Sequence, residues 1–249
     1  MLLFIGSRIT FGEKLPVAMS PSAKRYLAEM LGTFALVFAG TGAIVINDVS
    51  GGAISHLGIA LTFGLIVMAT IYTFGDISGA HLNPAVTLGF VAAGRMRGAE
   101  GIFYILSQLS GAVGASSILR LLFPTHATLG MTLPAGRALQ SFVLEFLLTA
   151  LLMLVILSVT SGAKEKGITA GIAIGGVVAL EALFAGPICG ASMNPARSLA
   201  PALVTGNFTS LWIYLLAPIA GALAAVPLCI CVRESGCCTR ICSAQLPQS

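Results

Sequence analysis

Ser78-Gly79-Ala80 leads into Asn83-Pro84-Ala85, and Gly190-Ala191-Ser192 leads into Asn194-Pro195-Ala196. Each Asn-Pro-Ala tripeptide opens a short apolar stretch, about 83–93 and 194–204, too brief to cross a bilayer. Pro at the second position suits a helix start, where its missing N–H has no partner to lose. Asn just before it is a favoured N-cap. Two such half-spans in a very hydrophobic chain predict two re-entrant helices that meet at mid-membrane and build a pore.

Composition places the chain in a membrane. Of its 249 residues 57% are hydrophobic and 9% charged, whereas soluble domains carry about 25% charged residues. No soluble fold of this size could hide so much apolar surface. The net charge of +4 says nothing about nucleic acid, because the basic residues sit between apolar spans and form no dense run. The short apolar run Met1–Gly6 precedes Arg8. A secretory signal has its charge first, so none is read here. No metal-ligand spacing, phosphate loop or Ser/His/Asp set occurs, so neither an enzyme nor a bound cofactor is expected.

Six long apolar segments are predicted as spans, at 25–47, 57–75, 100–122, 138–160, 167–186 and 211–232. With six spans, Arg8, Lys14, Lys24, Arg25, Arg95, Arg97, Lys164, Lys166, Arg233 and Arg240 fall on one side. Only Arg120 and Arg137 fall on the other. The bias predicts cytoplasmic termini in a multi-pass protein of the plasma or inner membrane. Residues 1–23 then form an N-terminal cytoplasmic segment and 233–249 a Cys-rich cytoplasmic tail. Five of the six cysteines (Cys229, Cys231, Cys237, Cys238 and Cys242) crowd the C-terminus, and only Cys189 lies elsewhere. Reduced thiols are expected, with palmitoylation of Cys237 or Cys238 as the alternative.

The region 24–232 reads as an inverted repeat, about 24–123 and 137–232. Glu29-x-x-x-Thr33 answers Glu145-x-x-x-Thr149. Glu29 lies 54 residues before Asn83, and Glu145 lies 49 before Asn194. Gly111-Ala112 and Gly221-Ala222 follow the asparagines by 28 and 27 residues. Three spans per half force the second copy to insert upside down. Inverted repeats with broken helices at the midplane are a transport architecture.

The two Asn-Pro-Ala boxes, six spans, paired Glu residues and Arg197 resemble the major intrinsic proteins, the aquaporins and aquaglyceroporins. The stretch Gly186-Pro187 to Pro201 is most similar to the nodulin-26-like branch and its bacterial relatives. The resemblance implies an all-α membrane fold: six transmembrane helices plus two re-entrant half-helices. It also implies a homotetramer with one pore per subunit. The implied function is a passive channel for water and small neutral solutes, such as glycerol and boric, silicic or arsenous acid, that excludes protons and ions. The alternatives are a strictly water-selective channel and, more remotely, a secondary active transporter, which would need a titrating carboxylate at the midplane.

By that resemblance Asn83 and Asn194 offer side-chain N–H groups to passing oxygens. Phe63, Ala182, Ala191 and Arg197 form the second constriction. Ala182 stands where strict water channels resemble His, so the opening is expected to be wide and partly apolar. Glu29 and Glu145 tie down the loops before the boxes, and His81 lines or braces the inner vestibule. Glu181, beside Ala182, is expected to accept from backbone N–H groups of the second loop, with a pore-lining role as the alternative. Gly111, Gly114 and Gly221 suit close helix contacts. His56 and His126, in outer loops, are read as solvated, and Cys189 as reachable by mercurials.

Overall fold

The computed structural model describes residues 19–161 and 164–232, with no side-chain detail for 164–168. The expectations for residues 1–18, the Cys-rich tail and its palmitoylation fall outside the described residues. Among these residues all regular structure is helical. The helices are α1 (Pro21–Val49), α2 (Ser55–Ser78), α3 (Pro84–Ala92), α4 (Gly98–Leu122), α5 (Ala138–Val159), α6 (Lys164–Cys189), α7 (Pro195–Thr205) and α8 (Leu211–Val232). All but α3 and α7 are long and apolar enough to cross a membrane. Helix α1 starts earlier than hydropathy predicts because Ser20 caps it: its Oγ accepts from Ala23 N at 3.2 Å, and Pro21 fills the first turn.

The halves α1–α4 and α5–α8 repeat each other's packing. Helix α1 packs on α4 as α5 packs on α8, and α2 meets α6 between the halves. Close approach of α1 to α4 and of α5 to α8 is made possible by one glycine in each pair, as Gly64 and Gly175 do where α2 meets α6. A Cβ on Gly111 would strike the carbonyl oxygen of Met30, and a Cβ on Gly221 that of Phe146. Met30 and Phe146 directly follow Glu29 and Glu145, so each glycine holds its helix against the carboxylate-bearing turn. Gly114 is not such a contact, since its nearest neighbour would be Phe34 at an ordinary 3.7 Å. The outer surface is apolar, with Leu65, Phe103, Leu121 and Leu216 more than half exposed. This is the face a helix bundle presents to lipid rather than water. The expectation of reduced cysteines is corrected at Cys229, which is disulfide-bonded; Cys189 and Cys231 are free.

Candidate functional site

The two boxes meet at the centre and hold each other. Asn83 and Asn194 cap α3 and α7: Asn83 Oδ1 accepts from Ala85 N at 2.9 Å and Asn194 Oδ1 from Ala196 N at 3.0 Å. With the oxygens so engaged, the amide nitrogens cross between the halves. Asn83 Nδ2 donates to Met193 O at 2.7 Å, and Asn194 Nδ2 donates to Leu82 O at 2.9 Å. An amide nitrogen has two hydrogens, so one on each Asn stays available to the lumen.

The loops that bring the asparagines together have the same backbone. Gly79 and Gly190 have φ of 85° and 83°, Ala80 and Ala191 47° and 40°, and Leu82 and Met193 54° and 52°. Left-handed backbone costs a non-glycine residue about 1–2 kcal/mol, so something must hold it. Two buried carboxylates do so. Glu29 accepts from His81 N at 2.9 Å, Leu82 N at 2.8 Å, Ser78 Oγ at 2.7 Å and Gln108 Nε2 at 2.8 Å. Glu145 accepts from Ser192 N and Met193 N, both at 2.8 Å. Consecutive N–H groups that converge on one anion form a nest, and here the anion is part of the protein.

A cavity of about 670 Å³ runs along this centre. Its wall includes Phe63, Ala182, Ala191 and Arg197 toward one end, then Asn83 and Asn194, then His81, Phe90 and Thr160. Helix α2 supplies Phe63, whose ring fills the space beside Gly40 of α1. The Arg197 guanidinium lies over this ring, 5.2 Å from its centroid. Arg197 sits in the first turn of α7, buried at 2% exposure. Its Nη1 donates to Gly130 O at 2.8 Å. At the other end His81 stacks on Phe90 with centroids 4.4 Å apart, and its Nδ1 lies 3.2 Å from Thr87 Oγ1. His81 therefore lines the cavity and braces α3 together.

Glu181 plays neither of the roles expected of it. It is buried at 1% exposure, yet it is not on the cavity wall. Neither carboxyl oxygen has a hydrogen-bond partner among the described residues. The loop N–H groups it was expected to bind are already taken by Glu145, and Arg197 Nη1 by Gly130. Burying a polar group without a partner costs about 1–3 kcal/mol. Glu181→Leu is therefore expected to raise the unfolding temperature of the purified protein and to leave solute permeability unchanged. A thermal-shift assay beside a permeability assay checks both, and a lowered unfolding temperature would show a partner for the carboxyl.

Two other expectations change, and a third is extended. Cys189 is fully buried off the cavity wall, its thiol donating to Ala185 O at 3.5 Å, so it is closed to mercurials from the lumen. His56 is exposed, as expected, and its ring also lies 2.6 Å from Leu183 O, which ties the start of α2 to α6. His126 is not solvated: its side chain is 10% exposed and has a partner at each ring nitrogen. The sequence signal for these two was absent, because their partners include backbone groups, which any residue supplies.

Comparison with known proteins agrees with this geometry. The profile of the Major intrinsic protein family matches residues 17–228. Aquaporin NIP1-4 of Oryza sativa subsp. japonica is 49% identical over 211 residues, which cover 84% of this chain and 77% of that protein. Nodulin-26 of Glycine max is 45% identical over 205 residues, covering 82% of this chain and 76% of that protein. The X-ray structure of the aquaglyceroporin from Plasmodium falciparum superposes with a TM-score of 0.75 at 25% identity, over 83% of this chain and 95% of that one. With this coverage, identity and shared architecture, the chain belongs to the major intrinsic protein family.

Proposed function

We propose that this chain is a passive transmembrane channel for water and small neutral solutes, glycerol and metalloid hydroxides such as boric, silicic or arsenous acid among them, and that it excludes protons and other ions. The names of its relatives, aquaporins and an aquaglyceroporin, support the channel class. The observation that carries the solute reading is the cavity wall. It is apolar for most of its length, with hydrogen-bond donors at the asparagine pair and at Arg197. Such a wall binds a neutral hydroxylated molecule weakly enough to release it.

Each residue then has a distinct task. The N-termini of α3 and α7 face the centre, and each adds about half an elementary positive charge. That field opposes any cation, hydronium included. The free N–H of Asn83 and of Asn194 engages both lone pairs of a passing water, which cannot then accept a proton from its neighbour. At the second constriction Arg197 replaces lost water hydrogen bonds and repels cations. Phe63 gives the carbon side of a polyol an apolar surface, while Ala182 and Ala191 leave it room.

The wider reading has separate supports. The distribution of Lys and Arg supports cytoplasmic termini, which puts the Arg197 end of the cavity outside and the His81 end inside. Family membership supports a homotetramer in the plasma or inner membrane. The repeat supports residues 24–232 as the channel domain, flanked by 1–23 and 233–249.

The test is light scattering from proteoliposomes after an osmotic step. Fast shrinkage in sucrose followed by fast re-swelling in glycerol and in boric acid is the expected result. Shrinkage without re-swelling would make this a water-selective channel and would overturn the wide filter.

A further inference from the structure

Between α4 and α5 the chain dips toward the filter and delivers the Gly130 carbonyl to Arg197 at 2.8 Å. That carbonyl is where it is because of its neighbours. Leu129 is fully buried with φ of 50°, and Gly130 has φ of 70°. A Cβ on Gly130 would come within 2.9 Å of the Thr41 carbonyl oxygen, so this turn is pressed against α1. The Leu129 N–H donates to His126 Nδ1 at 3.0 Å. His126 Nε2 lies 3.3 Å from Asp48 Oδ2 at the end of α1. From α4, Arg120 Nη1 donates to His126 O at 2.8 Å and to Pro124 O at 3.1 Å. Beyond Gly130, Thr132 Oγ1 donates to Ser198 Oγ at 2.8 Å, one residue past the filter arginine.

The two nitrogens of His126 do different work. Nδ1 accepts from a backbone N–H, so it carries no proton. Nε2 then carries the proton and turns it to the Asp48 carboxylate. This one tautomer satisfies both partners. Loss of the acceptor at Nδ1 leaves the Leu129 N–H unpaired at the turn whose next carbonyl holds Arg197.

We propose that His126 is a positioning residue for Arg197. Through Leu129 and Gly130 it sets where the guanidinium stands over Phe63, and so which polyols the filter admits. The inference rests on the channel reading above. It adds a specificity determinant that lies outside the lumen and touches no solute.

Side-chain geometry supplies the test. The Asn carboxamide oxygen can take the place of His Nδ1, whereas the Gln amide reaches the place of Nε2. His126→Asn therefore keeps an acceptor for Leu129, and His126→Gln and His126→Ala do not. The full-length protein and the three variants are reconstituted, and the re-swelling rates in erythritol and in glycerol are compared. In His126→Gln and His126→Ala the erythritol-to-glycerol ratio is expected to rise about fivefold, the worth of one net hydrogen bond. His126→Asn keeps the unsubstituted ratio. Retained water permeability shows that a variant has folded, and His126→Ala carries the comparison if His126→Gln does not fold. Equal ratios in all four proteins overturn the proposal, as does an Asn variant that behaves like the Gln variant. An unsubstituted protein that conducts water but neither polyol overturns the solute reading itself, and this inference with it.

Discussion

Glu29→Ala protein is expected to lose its sharp elution peak in detergent and to unfold at a much lower temperature than the unsubstituted chain. The carboxylate accepts from four donors, two of them the consecutive backbone N–H groups of His81 and the left-handed Leu82 in the first box loop. A buried donor stripped of its partner costs about 1–3 kcal/mol. The two backbone groups alone thus remove about 2–6 kcal/mol, from a total that is about 5–15 kcal/mol in typical proteins. Glu145→Ala is expected to act in the same direction at the second box, where Ser192 and Met193 lose their acceptor. The first half is the more exposed to loss, because Gln108 adds a donor at a place where the second half has Pro218. Glu29→Gln keeps one acceptor oxygen and turns its N–H₂ toward other donors, so it falls between. Size-exclusion chromatography after graded heating measures all three. An unchanged unfolding temperature in either alanine variant would overturn the nest as the element that holds the loops.

Ala182→Trp is expected to close the channel to glycerol while sparing water to a larger extent. Ala182 stands on the cavity wall with Phe63 and Arg197, where the proposed constriction lies. Its methyl group leaves the lumen open there, and an indole would occupy it. Overpacking a close-fitting space costs about 1–3 kcal/mol, and as a barrier to passage this is about five- to a hundredfold in rate. Re-swelling in glycerol is thus expected to fall by that factor, with a smaller fall in osmotic shrinkage. Leu180→Trp serves as the control, because Leu180 is two residues away on the same helix and 59% exposed on the outer face. Unimpaired glycerol entry through the Ala182→Trp protein would move the constriction elsewhere along the cavity.

The spans and the two half-helices were legible in the sequence because each leaves a compositional mark, whereas Phe63, Ala182, Ala191 and Arg197 were placed on the cavity wall only through the family resemblance. Apolar length marks α1, α2, α4, α5, α6 and α8, and Asn-Pro marks the starts of α3 and α7. The duplicated Glu-x-x-x-Thr marks the halves as related. Boundaries were less legible where a cap, such as Ser20, extends a helix past its apolar run. The loop from Phe123 to Arg137 was the least legible part. Gly130 acts through its carbonyl and His126 through bonds to Leu129 and Asp48, and no spacing rule links 48, 126, 130 and 197. Glu181 was misread for a related reason. A turn of 100° per residue already places it off the wall that Ala182 joins, and the misreading lies in its partners. The donors assigned to it had a better acceptor in Glu145.

The reciprocal bonds between the asparagine boxes also bear on how the chain is made. Asn83 Nδ2 is satisfied by Met193, and Leu82 O by Asn194, more than a hundred residues further along the chain. A nascent chain that has threaded only its first three spans therefore has neither partner. Its half-helix waits with a polar tip unmatched inside the bilayer, where such groups are costly. The first half is thus a provisional structure during synthesis, one that the translocon or its lipid surroundings must shelter. Closure of the pore and completion of the fold become a single late event, set by arrival of the second box.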